Sequence, residues 1–226
     1  MILYAIPTPL GASPEQSLPG PALQTIRTLQ DFVVENAKSA RAFLGALGMP
    51  VRELRIKAIE ADADLLQPLR EKRPLGLLCE AGCPAIADPG ASLVEAAHRE
   101  GFRVVPLVGP SSIVLALMAS GLEGQRFAFC GYLPREDVER RKRIKELELR
   151  SRKERETEIF IETPYRNDAL FAALLATCAP ATRLCVAADL TLPGESIATR
   201  KVREWKGTAG PGKRPAVFLL QSSLTG

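Results

Sequence analysis

The chain has 226 residues, 46% hydrophobic and 25% charged, a soluble globular composition with room for one large domain or two small ones. No apolar run approaches the roughly 20 residues of a membrane helix, and the N-terminus opens on the strand-like "ILYAI" rather than on a signal sequence, so a cytoplasmic location is expected. The five cysteines (Cys79, Cys83, Cys130, Cys178 and Cys185) are odd in number and scattered, which suits reduced buried thiols better than a disulfide framework.

In chain order, the first strand is predicted over Ile2 to Ile6 and a helix over Pro21 to Gln30. The stretch "FVVENAKSARAF" then starts like a strand and leads into a helix over Lys38 to Leu47. A helix over Leu65 to Lys72, a strand over Leu75 to Cys79, a helix over Ser92 to Glu100 and a strand over Phe102 to Leu107 complete a first alternating series. A very apolar helix, Ser111 to Ser120, opens the second. It is followed by a strand over Ala128 to Gly131, a charged helix over Asp137 to Arg152, a strand over Glu158 to Glu162 and a helix over Asn167 to Thr177. The strand Leu184 to Ala188, the segment "SIATRKVREW" and the strand Ala216 to Gln221 end the chain, and the last two can add antiparallel strands. Several strands are continuous apolar runs without alternation, as expected of strands covered on both faces. The fold expected is therefore α/β in two domains, 1–110 with a largely parallel sheet and 111–226 with a mixed one.

The net charge of +4 is uneven: ten Lys or Arg face seven Asp or Glu between Arg135 and Glu156, leaving one positive charge for the rest. Two readings of that helix stand side by side. It is a solvated surface helix laced with i,i+4 pairs, or Arg140, Lys142 and Arg143 face phosphates.

Ligands of open α/β sheets bind beyond the carboxyl ends of the strands. The segments leaving those ends are "PTPLG", "EAGCPAIADPG", "VGPSS", "ETPYRN" and "ADLTLPGE". Most join glycine or small residues, which admit a ligand to the backbone, with proline, which fixes loop shape. The eleven residues from Glu80 to Gly90 exceed the about 2 to 6 that a strand-to-helix connection needs.

Several chemistries are disfavoured. The single histidine, His98, lies on a helix away from any serine and carboxylate cluster, against a Ser-His-Asp triad. Cys79 and Cys83 lack a second ligand pair for zinc. "GPSSI" lacks the second glycine of a nucleophile elbow, and neither G-x-G-x-x-G nor a Walker A loop occurs. A metal-free crevice for a small, mostly neutral cofactor remains.

The ordered segments "IPTPLG", "CEAGCPAIADPG", "VVPLVGPSS", "GYLP", "IFIETPYR" and "KRPAVFLL" resemble the S-adenosylmethionine-dependent tetrapyrrole methylase superfamily over nearly the whole chain, in particular its branch that methylates ribose 2′-hydroxyls of ribosomal RNA. The resemblance implies a homodimer of two α/β domains with S-adenosyl-L-methionine in the cleft between them. It assigns cofactor contacts to Pro7, Thr8, Pro9, Leu10 and Gly11 and to Glu80, Ala81, Gly82, Cys83, Pro84 and Ile86. It adds Ser111 and Ser112 at a helix start, Thr163 and Ala188 from the second domain, and Pro215, Ala216 and Val217 beside the adenine. RNA is the implied substrate, with a tetrapyrrole or other small molecule as the alternative and a non-catalytic cofactor-sensing or RNA-binding protein as another.

A ribose hydroxyl benefits from a base or a polarising group, and Glu35, Asn36 and Lys38 are the candidates. The competing reading is a helix N-terminus with Asn36 as its cap. The ribosomal branch carries Glu-Asp-Thr-Arg where this chain has Glu35, Asn36, Ala37 and Lys38, and His-Asn-Glu where it has "AIEADAD".

Overall fold

The computed structural model of the chain describes residues 1–60 and 64–222; Ala61 to Ala63 of "AIEADAD" lie outside the described residues. The chain divides into two compact units, Met1–Ser111 and Ser112–Gly226.

The first unit runs β1 (Ile2–Ile6), α1 (Pro14–Ser17), α2 (Gly20–Arg27), β2 (Asp31–Val34), α3 (Ala37–Ala46), β3 (Arg55–Ala58), α4 (Gln67–Arg70), β4 (Leu75–Leu78), α5 (Ala91–Arg99) and β5 (Arg103–Pro106). Its strands lie in the order β3-β2-β4-β1-β5, every pair parallel. β2 and β4 are buried along their whole length. One face packs Ile6, Ile26, Phe32, Val34 and Leu44 together, the other Leu3, Val33, Leu69, Leu75 and Leu93. Burial on both faces explains why these strands read as unbroken apolar runs. Gly76 of β4 leaves room for this packing, since a Cβ there would stand 2.7 Å from Cδ1 of Phe32 and 2.8 Å from Cδ1 of Ile6.

The sequence reading leaves out β3. "RIKA" is short, and its only apolar side chain of size is Ile56, so nothing local marks it; pairing with β2 makes it a strand. The helix expected over Leu65 to Lys72 contracts to the single turn of α4, with Pro68 at its start.

The second unit runs α6 (Ser112–Ser120), β6 (Phe127–Tyr132), α7 (Asp137–Glu154), β7 (Thr157–Ile161), α8 (Asn167–Thr177), β8 (Arg183–Ala188), β9 (Ser196–Lys201) and β10 (Ala216–Gln221), with 3-10 turns at Pro164–Arg166 and Val202–Trp205. The order is β6-β7-β10-β8-β9. β6 and β7 are parallel and the other pairs antiparallel, a mixed sheet. Phe160 and Phe218 stack across β7 and β10 with centroids 6.1 Å apart. Trp205 meets Phe171 edge-on at 5.4 Å and satisfies its indole N–H on the Leu184 carbonyl at 3.0 Å, as a buried tryptophan must.

Among the described residues, no helix is long and apolar enough to cross a membrane. His98 is exposed in the last turn of α5.

Candidate active site

Four chain segments leave the carboxyl ends of β1, β2, β4 and β5, and the structure ties them to one another. The backbones of Thr8 and Gly82 form an antiparallel bridge, with Thr8 N–H donating to the Gly82 carbonyl at 2.8 Å and Gly82 N–H to the Thr8 carbonyl at 3.0 Å. The buried Thr8 hydroxyl donates to the Cys79 carbonyl at 3.3 Å. The Glu80 N–H donates to Oε2 of Glu35 at 3.0 Å, joining the exits of β2 and β4. Cys83 Sγ lies 3.4 Å from the Pro110 carbonyl, and Gly109 packs so closely on Pro7 that a Cβ would stand 2.5 Å away. The long turn that begins at Glu80 is thus the hub on which the other three segments close.

The turn itself is strained. Gly82 has φ +82° and Gly90 φ +134°, but Ala85 and Ala87 also sit at φ +65° and +66°. An L-residue in that region costs roughly 1 to 2 kcal/mol. Strain of this kind persists where surrounding contacts over-determine it, commonly at functional sites.

The electrostatics at this edge are acidic. Burial pushes the Asp88 carboxyl above the usual carboxylate range, the charge of Glu35 adds to it, the Cys79 thiol opposes it, and Glu80 adds a further increment. Cys79, with its thiol 3.3 Å from the Gly82 carbonyl, is pushed up to about 12, chiefly by burial. Asp88 was not singled out from the sequence, though the motif "ADPG" that contains it was. A negative field suits a ligand carrying a sulfonium and an ammonium group, so the donor set fits S-adenosylmethionine.

Of the candidates after β2, Asn36 is occupied. Its Oδ1 accepts from the N–H groups of Lys38 at 2.9 Å and Ser39 at 3.4 Å, so it caps α3. One oxygen of Glu35 is likewise occupied by the Glu80 N–H. Lys38 is exposed on the first turn of α3. Pro7, Thr8, Gly82 and Pro84 are buried, whereas Gly11, Glu80, Ala81 and Ile86 are exposed, Leu10 being half-buried like Pro9 and Cys83. Ser111 ends the first unit and Ser112 begins α6.

In the second unit, the strand pairing brings its assigned residues to one end of the sheet. Ala188 at the end of β8 is opposite Ala216, and Val217 is opposite Ile161, two residues before the exposed Thr163. Pro215 accepts the N–H of Asp189 at 3.0 Å. At the same end, the buried Glu162 is paired with Arg166, an interaction at spacing i,i+4 in "ETPYRN" that the sequence reading passed over.

Arg140 is not where a phosphate contact requires it. Its side chain is only 9% exposed, bound to Asp137 at 2.6 Å and to the Arg135 carbonyl at 2.8 Å. It shares the inward stripe of α7 with Ile144, Leu147 and Ser151, which corrects the expectation that it faces phosphates. Lys142 is exposed, and Arg143 is half-buried and paired with Glu146 at 3.1 Å.

A cavity of about 260 Å³ in the first unit, lined by Asp31, Arg55, Lys57, Gln67 and Arg73 among others, lies at the opposite, amino end of β2, β3 and β4 and contains none of the carboxyl-edge residues.

The family described as Tetrapyrrole (Corrin/Porphyrin) Methylases matches residues 18–206. The chain belongs to the tetrapyrrole methylase family. Among the curated relatives of this family member is the "Ribosomal RNA small subunit methyltransferase I" of Halalkalibacterium halodurans, 32% identical over 76% of this chain and 59% of the relative. The protein of the same name from Escherichia coli O157:H7 is 30% identical over 86% of this chain and 67% of the relative. The chain therefore spans about three fifths to two thirds of the length of these relatives. A solved structure, the uroporphyrin-III-C-methyltransferase of Thermus thermophilus, superposes with a TM-score of 0.56 at 21% identity, covering 99% of this chain and 95% of that one. That likeness confirms the tetrapyrrole methylase fold.

Proposed function

We propose that this chain is an S-adenosylmethionine-dependent methyltransferase that acts on ribosomal RNA at a ribose 2′-hydroxyl. The observation that carries the reading is the knot of four carboxyl-edge segments around Gly82, set in an acidic field. The names of the relatives support RNA as the substrate class.

When bound, S-adenosylmethionine supplies a methyl group already activated by its sulfonium, so the protein's task is alignment. Pro7 to Gly11 and Glu80 to Pro84, with Ile86, form the wall beside the cofactor. Thr8 and Gly82 spend their backbone groups on each other and thereby fix the spacing of its two strands of chain. Glu35 acts by holding the Glu80 turn, and Asn36 by holding the start of α3; both are positioning residues. Lys38 is the remaining exposed group of the three that can polarise a hydroxyl or hold an RNA phosphate. In the second unit Thr163 and Ala188 add contacts to the cofactor, and Pro215, Ala216 and Val217 frame its adenine. A homodimer working in the cytoplasm belongs to the same reading, and sedimentation at micromolar concentration tests the dimer.

Calorimetry with S-adenosylmethionine and its demethylated product tests the cofactor. At a hundred times the dissociation constant, either ligand adds roughly 2.7 kcal/mol to folding stability. Transfer of a labelled methyl group to deproteinised small-subunit ribosomal RNA, with tetrapyrrole precursors in a parallel reaction, tests the substrate. Label in the tetrapyrrole alone overturns the RNA reading, and absence of binding by either ligand overturns the whole.

A further inference from the structure

The outward face of α7 sorts its charges. At about 100° per residue, the buried Arg140, Ile144, Leu147 and Ser151 define the inner stripe. Opposite lie Val138, Lys142, Leu149 and Lys153, with Lys145 and Arg152 along one border and Glu146 and Glu139 along the other, all exposed. This outer face holds four cations, bordered on one side by two carboxylates, Glu139 and Glu146.

Glu146 and the acids on the flanks of the helix are engaged by other groups. Asp137 binds Arg140 and Arg141, each at 2.6 Å, Glu146 binds Arg143 at 3.1 Å, and Glu154 binds Arg126 at 3.2 Å. Glu148 accepts the Ala179 N–H at 2.8 Å and the Thr182 hydroxyl. Among the described residues, Lys142, Lys145 and Arg152 have no carboxylate partner. Cations in the last turn complement the helix dipole, which accounts for Arg152 and Lys153 but not for Lys142 and Lys145 in the middle of the helix.

We infer that this outer stripe of α7, Lys142, Lys145, Arg152 and Lys153 with Leu149 between them, is a docking face for the phosphate backbone of the RNA substrate. The inference rests on the RNA reading above and names the surface that would serve it. From Lys142 to Lys153 the stripe runs roughly 16 Å at 1.5 Å per residue. Four cations on one line attract a polyanion without reading its sequence. Leu149 is 66% and Val138 81% exposed, and Leu149 gives the stripe an apolar contact for ribose. Two isolated aliphatic side chains are too few for an amphipathic membrane helix, whose whole apolar face must enter the lipid.

The test is a salt titration of binding to deproteinised small-subunit ribosomal RNA. The triple variant Lys142→Gln, Lys145→Gln, Arg152→Gln is compared with Lys142→Glu, Lys145→Glu, Arg152→Glu and with a control, Arg52→Gln, Arg99→Gln, Lys206→Gln, that changes net charge equally elsewhere. The slope of log affinity against log salt is expected to fall by roughly 2 to 3 in the α7 glutamine variant, since each phosphate contact contributes about 0.7 to 0.9. The control should keep the wild-type slope, and all variants should keep their affinity for S-adenosylmethionine. A wild-type slope in both α7 variants overturns the docking face while leaving the RNA reading intact. Equal loss in the control also overturns it, by showing that net charge alone is responsible. A wild-type protein without salt-dependent RNA binding overturns both.

Discussion

Thr8 and Gly82, 74 positions apart in the chain, exchange two backbone hydrogen bonds of 2.8 and 3.0 Å outside the strands of the sheet. The bridge extends the pairing of β1 and β4 beyond their carboxyl ends, where a ligand of an open α/β sheet is bound. It requires Gly82 at φ +82°, because that backbone turns the N–H and carbonyl of residue 82 toward Thr8.

Substitution at Gly82 should therefore act through the backbone. A Cβ there would meet Leu10 at 3.5 Å, an ordinary contact, so crowding is not the main cost. Gly82→Ala is expected to lower folding stability by roughly 1 to 2 kcal/mol, read from the denaturant midpoint, and to weaken S-adenosylmethionine binding. Gly82→Asn should lose less, because asparagine tolerates the left-handed region. Equal loss from both would mean that the space beside Leu10, not the dihedral, matters.

Glu35 separates a positioning role from a catalytic one. Glu35→Gln retains an oxygen for the Glu80 N–H, whereas Glu35→Ala leaves that donor without its partner, a cost of about 0.5 to 1.5 kcal/mol. Positioning predicts that Gln supports near wild-type turnover and that Ala raises KM for the cofactor more than it lowers kcat. A collapse of kcat in the Gln variant would make Glu35 a proton acceptor.

The Asp88 carboxyl gives a pH signature. Its folded pKa is raised above 3.8, first by burial and next by the charge of Glu35. The folded protein thus holds the proton more tightly than the unfolded chain, and stability from this group falls as pH rises from 3.8 through the folded value. Asp88→Asn should gain stability relative to wild type over that window. In Glu35→Gln the Asp88 titration, followed by carboxyl carbon resonance, should move down. A titration that stays in place would remove Glu35 from the acidic cluster.

Asp31 behaves in the opposite sense. Burial raises its pKa, but hydrogen bonds from Arg55 (two, both 2.7 Å) and Arg73 (3.1 Å) outweigh it and bring the folded value below 3.8. Its stabilisation is present above 3.8 and is lost as pH falls through the folded pKa. Asp31→Asn is expected to cost about 1.5 to 3 kcal/mol at neutral pH, with the difference from wild type shrinking in acid. Because the ion cluster lies at the amino end of the sheet, cofactor affinity should not change. A loss of affinity with intact stability would connect the two ends.

Where local pattern carries the physics, the residues alone determined the outcome. Continuous apolar runs at 2–6, 75–78 and 216–220 are strands because covering both faces needs apolar residues at every position, a requirement visible in any short window. Asn36 directly before a helical pattern is a cap for a reason equally local. The spacing of Arg140 with Ile144 and Leu147 also announced an inward side chain, but its charge, read alone, pointed outward. Only the tertiary structure decided the rest. "RIKA" is a strand because β2 lies beside it, and Glu35 is a partner of Glu80 because parallel strands 45 residues apart end at the same edge. Asp88 is a weaker acid than usual because burial and the charges of Glu35 and Glu80 act on it. Chain sequence fixes which short segments extend or coil, since those preferences are set by neighbours along the chain. Hydrogen bonds and charges between segments depend on distances that exist only once the sheet has assembled.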